Sequence, residues 1–525
     1  MRSYHRSNTP NQKQVDMSRP VLGVNEYNWE TEIHDEVMSY AFGAYPNKDE
    51  SIKLDTGDDE VAATDKVFTT AIAGRVLAAE CVNNYLVMLR IDGTTCYVTR
   101  VNLTTGVVAH DLSLEDEWGK QSSSSKVDSC VFNTEADTFV VFATPSEKKL
   151  VAYDFSAVIV TVDLAFKPKK IAAHTNRVFA IDNRHTLWWS GKGQLDTWYD
   201  TNLEESFILR DSGYWVLENE SYLSDLAPLG TSLYIFSDKN IYVFRGYDYD
   251  SFSLQKILSN IGIRDNTAYR RMTVTNNTMY FVTNNGIYEF SGNDAPRVIS
   301  RPVVINGNNS NSIIGGLPKT VTNDGEFDGN IYSDSSHLYF YTDRDYYRFD
   351  IFERSWWHMP GFQSGNSYTS TNDVLQLPYW NTLTEELNVL VSSLKSGNEQ
   401  IYAFNRLSSQ VDSAYFITKA FNISPSQQMS LTNVVLQVMG ESSSAVSDIT
   451  ISLKTPNMAD FVAVFTDTGR EMTGGMELIN VYVPAQYSAI SRYGYSSYKI
   501  KVEVGGDPVN VFNIERHFRV VGRTR

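Results

Sequence analysis

One phrase recurs down this 525-residue chain: an apolar strand, a short polar turn, and a second apolar strand ending on a small or polar residue. It is plainest at 232–246 (SLYIFSDKNIYVFRG), and returns at 277–292 (NTMYFVTNNGIYEFSG), 336–350 (SHLYFYTDRDYYRFD) and 387–406 (LNVLVSSLKSGNEQIYAFNR). Weaker copies at 83–101, 137–155 and 176–191 bring the number to seven. Asn, Asp or Gly stands at the clear turns, as tight hairpins require. The first apolar residues are Tyr85, Phe139, Val178, Leu233, Met279, Leu338 and Leu387, separated by steps of 54, 39, 55, 46, 59 and 49 residues. A step near 50 is about one four-stranded propeller blade, whereas helical repeats are shorter and space their apolar residues three and four apart. Each hairpin supplies two strands, and intervening pieces such as FSLQKIL (252–258), AYRRMTVT (268–275) and RSWWHMP (354–360) supply others. The reading is an all-β chain whose residues 66–411 form a β-propeller of about seven blades, six or eight also fitting the irregular spacing. A large sandwich of unrelated hairpins would space its strands every 8–12 residues or so, with no longer period superposed.

Composition agrees with a large β-rich core. The chain exceeds the size at which one hydrophobic core stops growing, and its 31 Tyr and 26 Phe favour strands. No apolar run approaches the roughly 20 residues of a membrane span, and the start MRSYHRSNTPNQKQ lacks a signal-peptide core, so a soluble protein made without secretion is expected. Cys81, Cys96 and Cys130 have no metal-type spacing and are expected to be free thiols. The net charge of −17 is uneven: residues 1–20 carry four basic side chains and one acidic, 412–525 balance at ten of each, and 21–411 hold about −20. That body would repel a phosphate backbone unless basic residues of distant blades, such as Arg245, Arg270, Arg271 and Arg344, converge in space.

Two flanks differ from the repeats. Residues 1–65, a basic leader followed by an acidic stretch ending in TGDDE, are expected to run as an extended arm. Residues 412–525 carry long strands, among them SLTNVVLQVMG (430–440), DITISLK (448–454), YKIKVEVGG (498–506) and VNVFNIERHFRVVG (509–522), and are expected to form a C-terminal antiparallel β-sandwich. The boundary falls near 407–415.

No residue is singled out as catalytic, cofactor-binding or metal-ligating. SGKGQLDTW (190–198) approaches the Asp-box turn of glycan-cleaving propellers but lacks Asp at its third position, so Trp198 is read as packing between blades. The pairs Trp188–Trp189 and Trp356–Trp357 cannot form flat sugar platforms, because neighbours in a strand point to opposite faces, and one member of each is expected to wedge between blades. Asp182 with His185 is the closest Asp–His combination and lacks a nucleophile nearby in sequence; Asp248 and Asp250 in YDYD read as a solvated loop rather than a Ca²⁺ site. No phosphate loop, dinucleotide fingerprint or nucleophile elbow is present.

The segment NRVFAIDNRHTLWWSGKGQLDTWYD (176–200), the opening RPVLGVNEYNWETEIHDEVMSYAFGAYPNKDESIKL (19–54) and the closing VNVFNIERHFRVVGR (509–523) together resemble the tail nozzle, or tail tubular B-type, propeller proteins of short-tailed bacteriophages. The likeness covers about 75 residues, and the opening lacks the Arg-Pro-Gly turn that usually ends it. The resemblance implies a structural, non-enzymatic virion protein assembled in the host cytoplasm. It implies a hexameric ring of copies in the tail, below the head-tail adaptor and beside other tail proteins, through which DNA passes without tight binding. No cofactor is implied. An acidic body suits such a conduit, since a negative lining avoids the counterion release that drives DNA binding. A carbohydrate-binding or carbohydrate-cleaving propeller and an intracellular propeller scaffold are the competing readings.

Overall fold

The computed structural model describes residues 12–17, 38–46, 51–54, Val67 and, with breaks, 72–523; the longer breaks are 122–126, 200–210, 264–269, 301–329, 361–374, 405–412, 419–426 and 484–497. Among the described residues, strands dominate and the one α-helix is the four-residue Glu115–Trp118. The chain is an all-β propeller with a two-sheet C-terminal layer.

Seven four-stranded antiparallel sheets follow one another along the chain. Six are continuous in sequence, over 75–113, 128–163, 168–216, 223–259, 272–298 and 330–360. The seventh joins Leu375–Asn381, Glu386–Lys395 and Asn398–Phe404 to the early strand Ile72–Ala73, with Ile401 opposite Ile72. Every one of the seven repeated hairpins is the middle pair of its own sheet; that at 232–246, for example, is Ser232–Ser237 paired with Asn240–Arg245.

Local chemistry explains the turns. Asp182 accepts from the backbone N–H of Arg184 and Thr186 at 2.9 and 3.1 Å, and Asp334 from Ser336 and His337, both at 2.6 Å. Such Asx turns are why Asp and Asn punctuate the repeat. Between first and second strands, Thr175–Asn176 and Asn276–Asn277 both have positive φ, the signature of a two-residue turn whose twist matches its strands.

The sheets pack face to face through apolar residues that alternate along each strand. Val87 and Leu89 of the first sheet meet Val140 and Phe142 of the second. Phe179 and Trp189 of the third meet Ile235 and Phe244 of the fourth, and Ile72, Leu390 and Ile401 of the seventh close on Leu86 and Met88 of the first. Both members of each Trp pair are used, on opposite faces. Trp188 stacks on Phe166 at 4.3 Å toward the second sheet while Trp189 enters the interface with the fourth. Trp356 packs between the fifth and sixth sheets, and Trp357 into the C-terminal layer. Trp198 also lies between the second and third sheets, donating its indole N–H to Leu195 O at 2.7 Å.

Described parts of the segment 1–65 run as strands on the C-terminal layer. Met38–Phe42 pairs with Ala414–Thr418 in a five-stranded sheet, while Gln12–Met17, Ala44–Pro46 and Ile52–Leu54 join a six-stranded sheet built on Gln427–Gly440 and Val509–Arg523. The two sheets face each other through Leu431, Val434 and Ile514 on one side and Phe416, Ile451 and Val502 on the other. The layer therefore needs both ends of the chain. Residues 1–11, 18–37 and 55–66, which include TGDDE, lie outside the described residues.

Candidate functional site: a charged cluster on the first strands

From the first sheet to the sixth, first strands of successive sheets run beside one another, and that of the seventh sheet packs against that of the first. Six of the seven sheets each bring a polar side chain to a common cluster. They are Glu80 from Arg75–Val82, Asp128 and Ser129 from Asp128–Asn133, Lys170 from Pro168–His174, Asp225 from Leu223–Leu229, Arg270 just ahead of Met272–Thr275, and Tyr332 from Asn330–Ser333.

The groups satisfy one another across sheet boundaries. Ser129 donates to Glu80 Oε1 at 2.7 Å. Asp128 takes Lys170 Nζ on one oxygen at 3.2 Å and the Ile171 N–H on the other at 2.8 Å. Asp225 accepts from the Leu226 N–H at 2.9 Å and faces Lys170, Asp128 and Arg270 electrostatically. The Arg270 backbone N–H is anchored on Asn330 Oδ1 at 2.6 Å, and its guanidinium lies 5.2 Å from the Tyr332 ring. The Tyr332 hydroxyl is buried with no hydrogen-bond partner among the described residues.

Burial raises the Glu80 carboxyl above its ordinary value, against the pull of Arg270 and the Ser129 hydrogen bond. It raises Asp225 in the same way, against Lys170. Lys170 loses to burial but gains more from Asp128 and Asp225, so its ammonium is held the more firmly. The cluster thus carries three carboxylates and two cations, and uptake of one proton by Glu80 or Asp225 neutralises it. Chemically it is a self-compensating polar plug that titrates on the alkaline side of the ordinary carboxylate range.

Of these residues the sequence reading named only Arg270, as one of four distant basic residues with room to converge in space. The available signal was a polar residue in or beside a first strand, five to eleven residues ahead of six of the seven hairpin markers, which becomes meaningful only once the strands are ranged side by side. Residues it did weigh have structural roles. Asp182 caps its turn, and Asp248 pairs with Lys192 at 3.3 Å. Arg245 lies against Ser232 in the fourth sheet and Arg271 is buried, while Arg344 is outside the described residues. The three cysteines are free. Among the described residues no group of three or more His, Cys, Asp or Glu is placed to hold a metal ion, and no helix is long and apolar enough to cross a membrane.

No family model and no curated protein sequence matches the chain. Among solved structures, it is similar to a catalytically inactive virginiamycin B lyase from Staphylococcus aureus with quinupristin, at 11% identity and TM-score 0.40, over 64% of this chain and 98% of that one. A streptogramin B lyase matches at 10% identity and TM-score 0.40 over 63% and 94%, and the AfRom2 CNH domain at 10% and 0.38 over 66% and 98%. Likeness at that level carries no chemistry across.

Proposed function

We propose that this chain is a structural virion protein of a short-tailed bacteriophage, a non-enzymatic subunit that forms a ring in the tail nozzle around the path of DNA ejection. The observation that carries the reading is the interlocking of the two chain ends. Ile72–Ala73 completes the seventh sheet, and Met38–Phe42, Ala44–Pro46 and Ile52–Leu54 are woven into sheets made mostly from 414–523. An all-β body tied at both ends in this way is a stiff wedge, which suits a closed ring that must bear load. Its first-strand charges compensate one another, and residues 21–411 carry a net of about −20, which disfavours tight contact with passing DNA. The sequence likeness described above supplies the tail context: copies of itself, probed as a hexamer, with the head-tail adaptor and other tail proteins as neighbours. The test is imaging of purified protein, alone and with the adaptor ring, together with duplex binding across a salt series. Rings and negligible duplex affinity at about 150 mM salt are expected. A strict monomer, or submicromolar DNA binding with a steep salt slope, overturns the reading.

A further inference from the structure

In the C-terminal layer, Val509–Arg523 pairs along one side with Gln427–Gly440, from Arg523 to Val509. Its other side takes strands from the beginning of the chain: Ile52–Leu54 lies on Val509–Val511, and Gln12–Met17 lies on Ile514–Arg519. Gln12–Met17 enters the six-stranded sheet through that one ladder, with Gln12 opposite Arg519 and Met17 opposite Ile514. Without it the backbone of 514–519 is an open sheet edge, of the kind that recruits a strand. The connection that follows is far longer than its task. The chain leaves opposite Ile514 and returns as Met38–Phe42, opposite Thr418 and Tyr415 in the facing sheet. Packed sheets stand about 10 Å apart, and roughly four to six residues commonly join neighbouring elements. Here residues 18–37 intervene, 20 in number, and a chain of that length reaches up to about 70 Å when extended.

We infer that Gln12–Met17 is exchanged between copies: in the assembly, this strand of one copy lies on Ile514–Arg519 of the next. The inference rests on the ring reading and specifies how its subunits are fastened. What covers the edge is given by the fold itself, since the strand already pairs there in a defined register. A strand held by one ladder and a long tether pairs equally well with the same edge of a second copy, in the same register and with no new contact to build. The two surfaces are unlike, a strand near the start of the chain and an edge near its end. The contact is therefore heterologous, and it passes from copy to copy until the ring closes. Closure makes each exchanged strand one of a set, so a six-residue ladder that is weak in isolation fastens every copy to its neighbours.

The experiment uses the full-length chain with Asp16→Cys and Glu515→Cys, two positions directly opposite in the register. Removing this like-charged pair leaves the ladder at least as favourable. After mild oxidation, non-reducing electrophoresis is expected to show covalent chains of two or more copies. A mixture of the two single variants is expected to give covalent dimers that neither forms alone, which sets aside the free Cys81, Cys96 and Cys130. Independently, Val15→Pro with Asp16→Pro removes a ladder N–H and is expected to weaken self-association in sedimentation velocity by about tenfold or more. Where no disulfide forms, the proline variant decides alone. Rings whose double-cysteine chain closes on itself as a monomer overturn the exchange and leave the ring reading standing, and so does a proline variant that assembles like the wild type. Covalent pairs from a wild type that sediments as a closed dimer uphold the exchange and overturn the ring. A wild type that is monomeric at every concentration overturns both.

Discussion

Lys170 is the side chain on which the first-strand cluster depends. It lies largely buried between Asp128, 3.2 Å away, and the field of Asp225, so replacing it leaves two desolvated carboxylates without their nearest cation. Lys170→Met is expected to cost about 3 kcal/mol near neutral pH and less in acid, where the carboxylates take up protons, as read by urea unfolding at several pH values. Glu80 and Asp225 set the sign of the cluster's own pH dependence. Their folded pKa values are raised above the ordinary 4.5 and 3.8, so the native state binds more protons than the unfolded chain between those values and the raised ones. Their contribution to stability is fully present below the ordinary values and lost as pH rises through the folded ones. His337 acts in the same direction from 6.5: burial lowers its pKa, but hydrogen bonds to Asp334 and Asp350 raise it more. Glu80→Gln with Asp225→Asn is therefore expected to flatten the fall in stability between acid and neutral pH; an unchanged slope would show that the two carboxyls are not shifted. This site was barely legible in sequence. Glu80 and Tyr332 stand 252 residues apart, and only sheet-to-sheet packing brings them within each other's field.

At the scale of the element, the seventh sheet is the informative one, because its outermost strand comes from the beginning of the propeller. Ile72 is buried against Val76, Leu86, Leu390 and Ile401, whereas its neighbour Ala73 is exposed on the other face. Ile72→Asp should thus cost about 3 kcal/mol by placing a carboxylate in that core, and Ala73→Asp should change stability by no more than about 0.5 kcal/mol. Denaturant melts of the two variants compare them directly; equal effects would mean that the strand does not close the ring of sheets. The middle strands were fully legible, since period-two alternation and Asn or Asp turns are local properties of each hairpin. The short strands Ala44–Pro46 and Ile52–Leu54 were not, because three residues carry no periodicity. Ile52–Leu54 is a strand because it pairs with Val509–Val511, more than 450 residues further on, and Ala44–Pro46 because it pairs with Ile52–Leu54 in turn.

For the molecule as a whole, the question is whether propeller and C-terminal layer are separable units. Their shared core says they are not. Tyr339, Tyr341, Tyr346, Trp357 and Met359 of the sixth sheet pack in one cluster with Phe416, Val434, Ile451 and Val502 of the layer, and the Gly43 N–H donates to His358 O at 3.1 Å across the same boundary. Trp357 is fully buried there, with its indole N–H donated to Ser355 Oγ at 2.9 Å. A propeller stripped of the layer would expose this aromatic face of the sixth sheet, while the layer stripped of the propeller would lose one wall of its core. The two should therefore unfold together, in a single calorimetric transition, although the sequence reads as a repeat followed by an independent sandwich. Trp357→Ala is expected to lower that transition by about 3–5 kcal/mol and, because the lost contacts are those joining the two units, to split it into two. A wild type that already melts in two separate steps, or a variant that is destabilised without any loss of cooperativity, would mean that the boundary at the sixth sheet is a passive contact and not the joint that makes one rigid wedge of the chain.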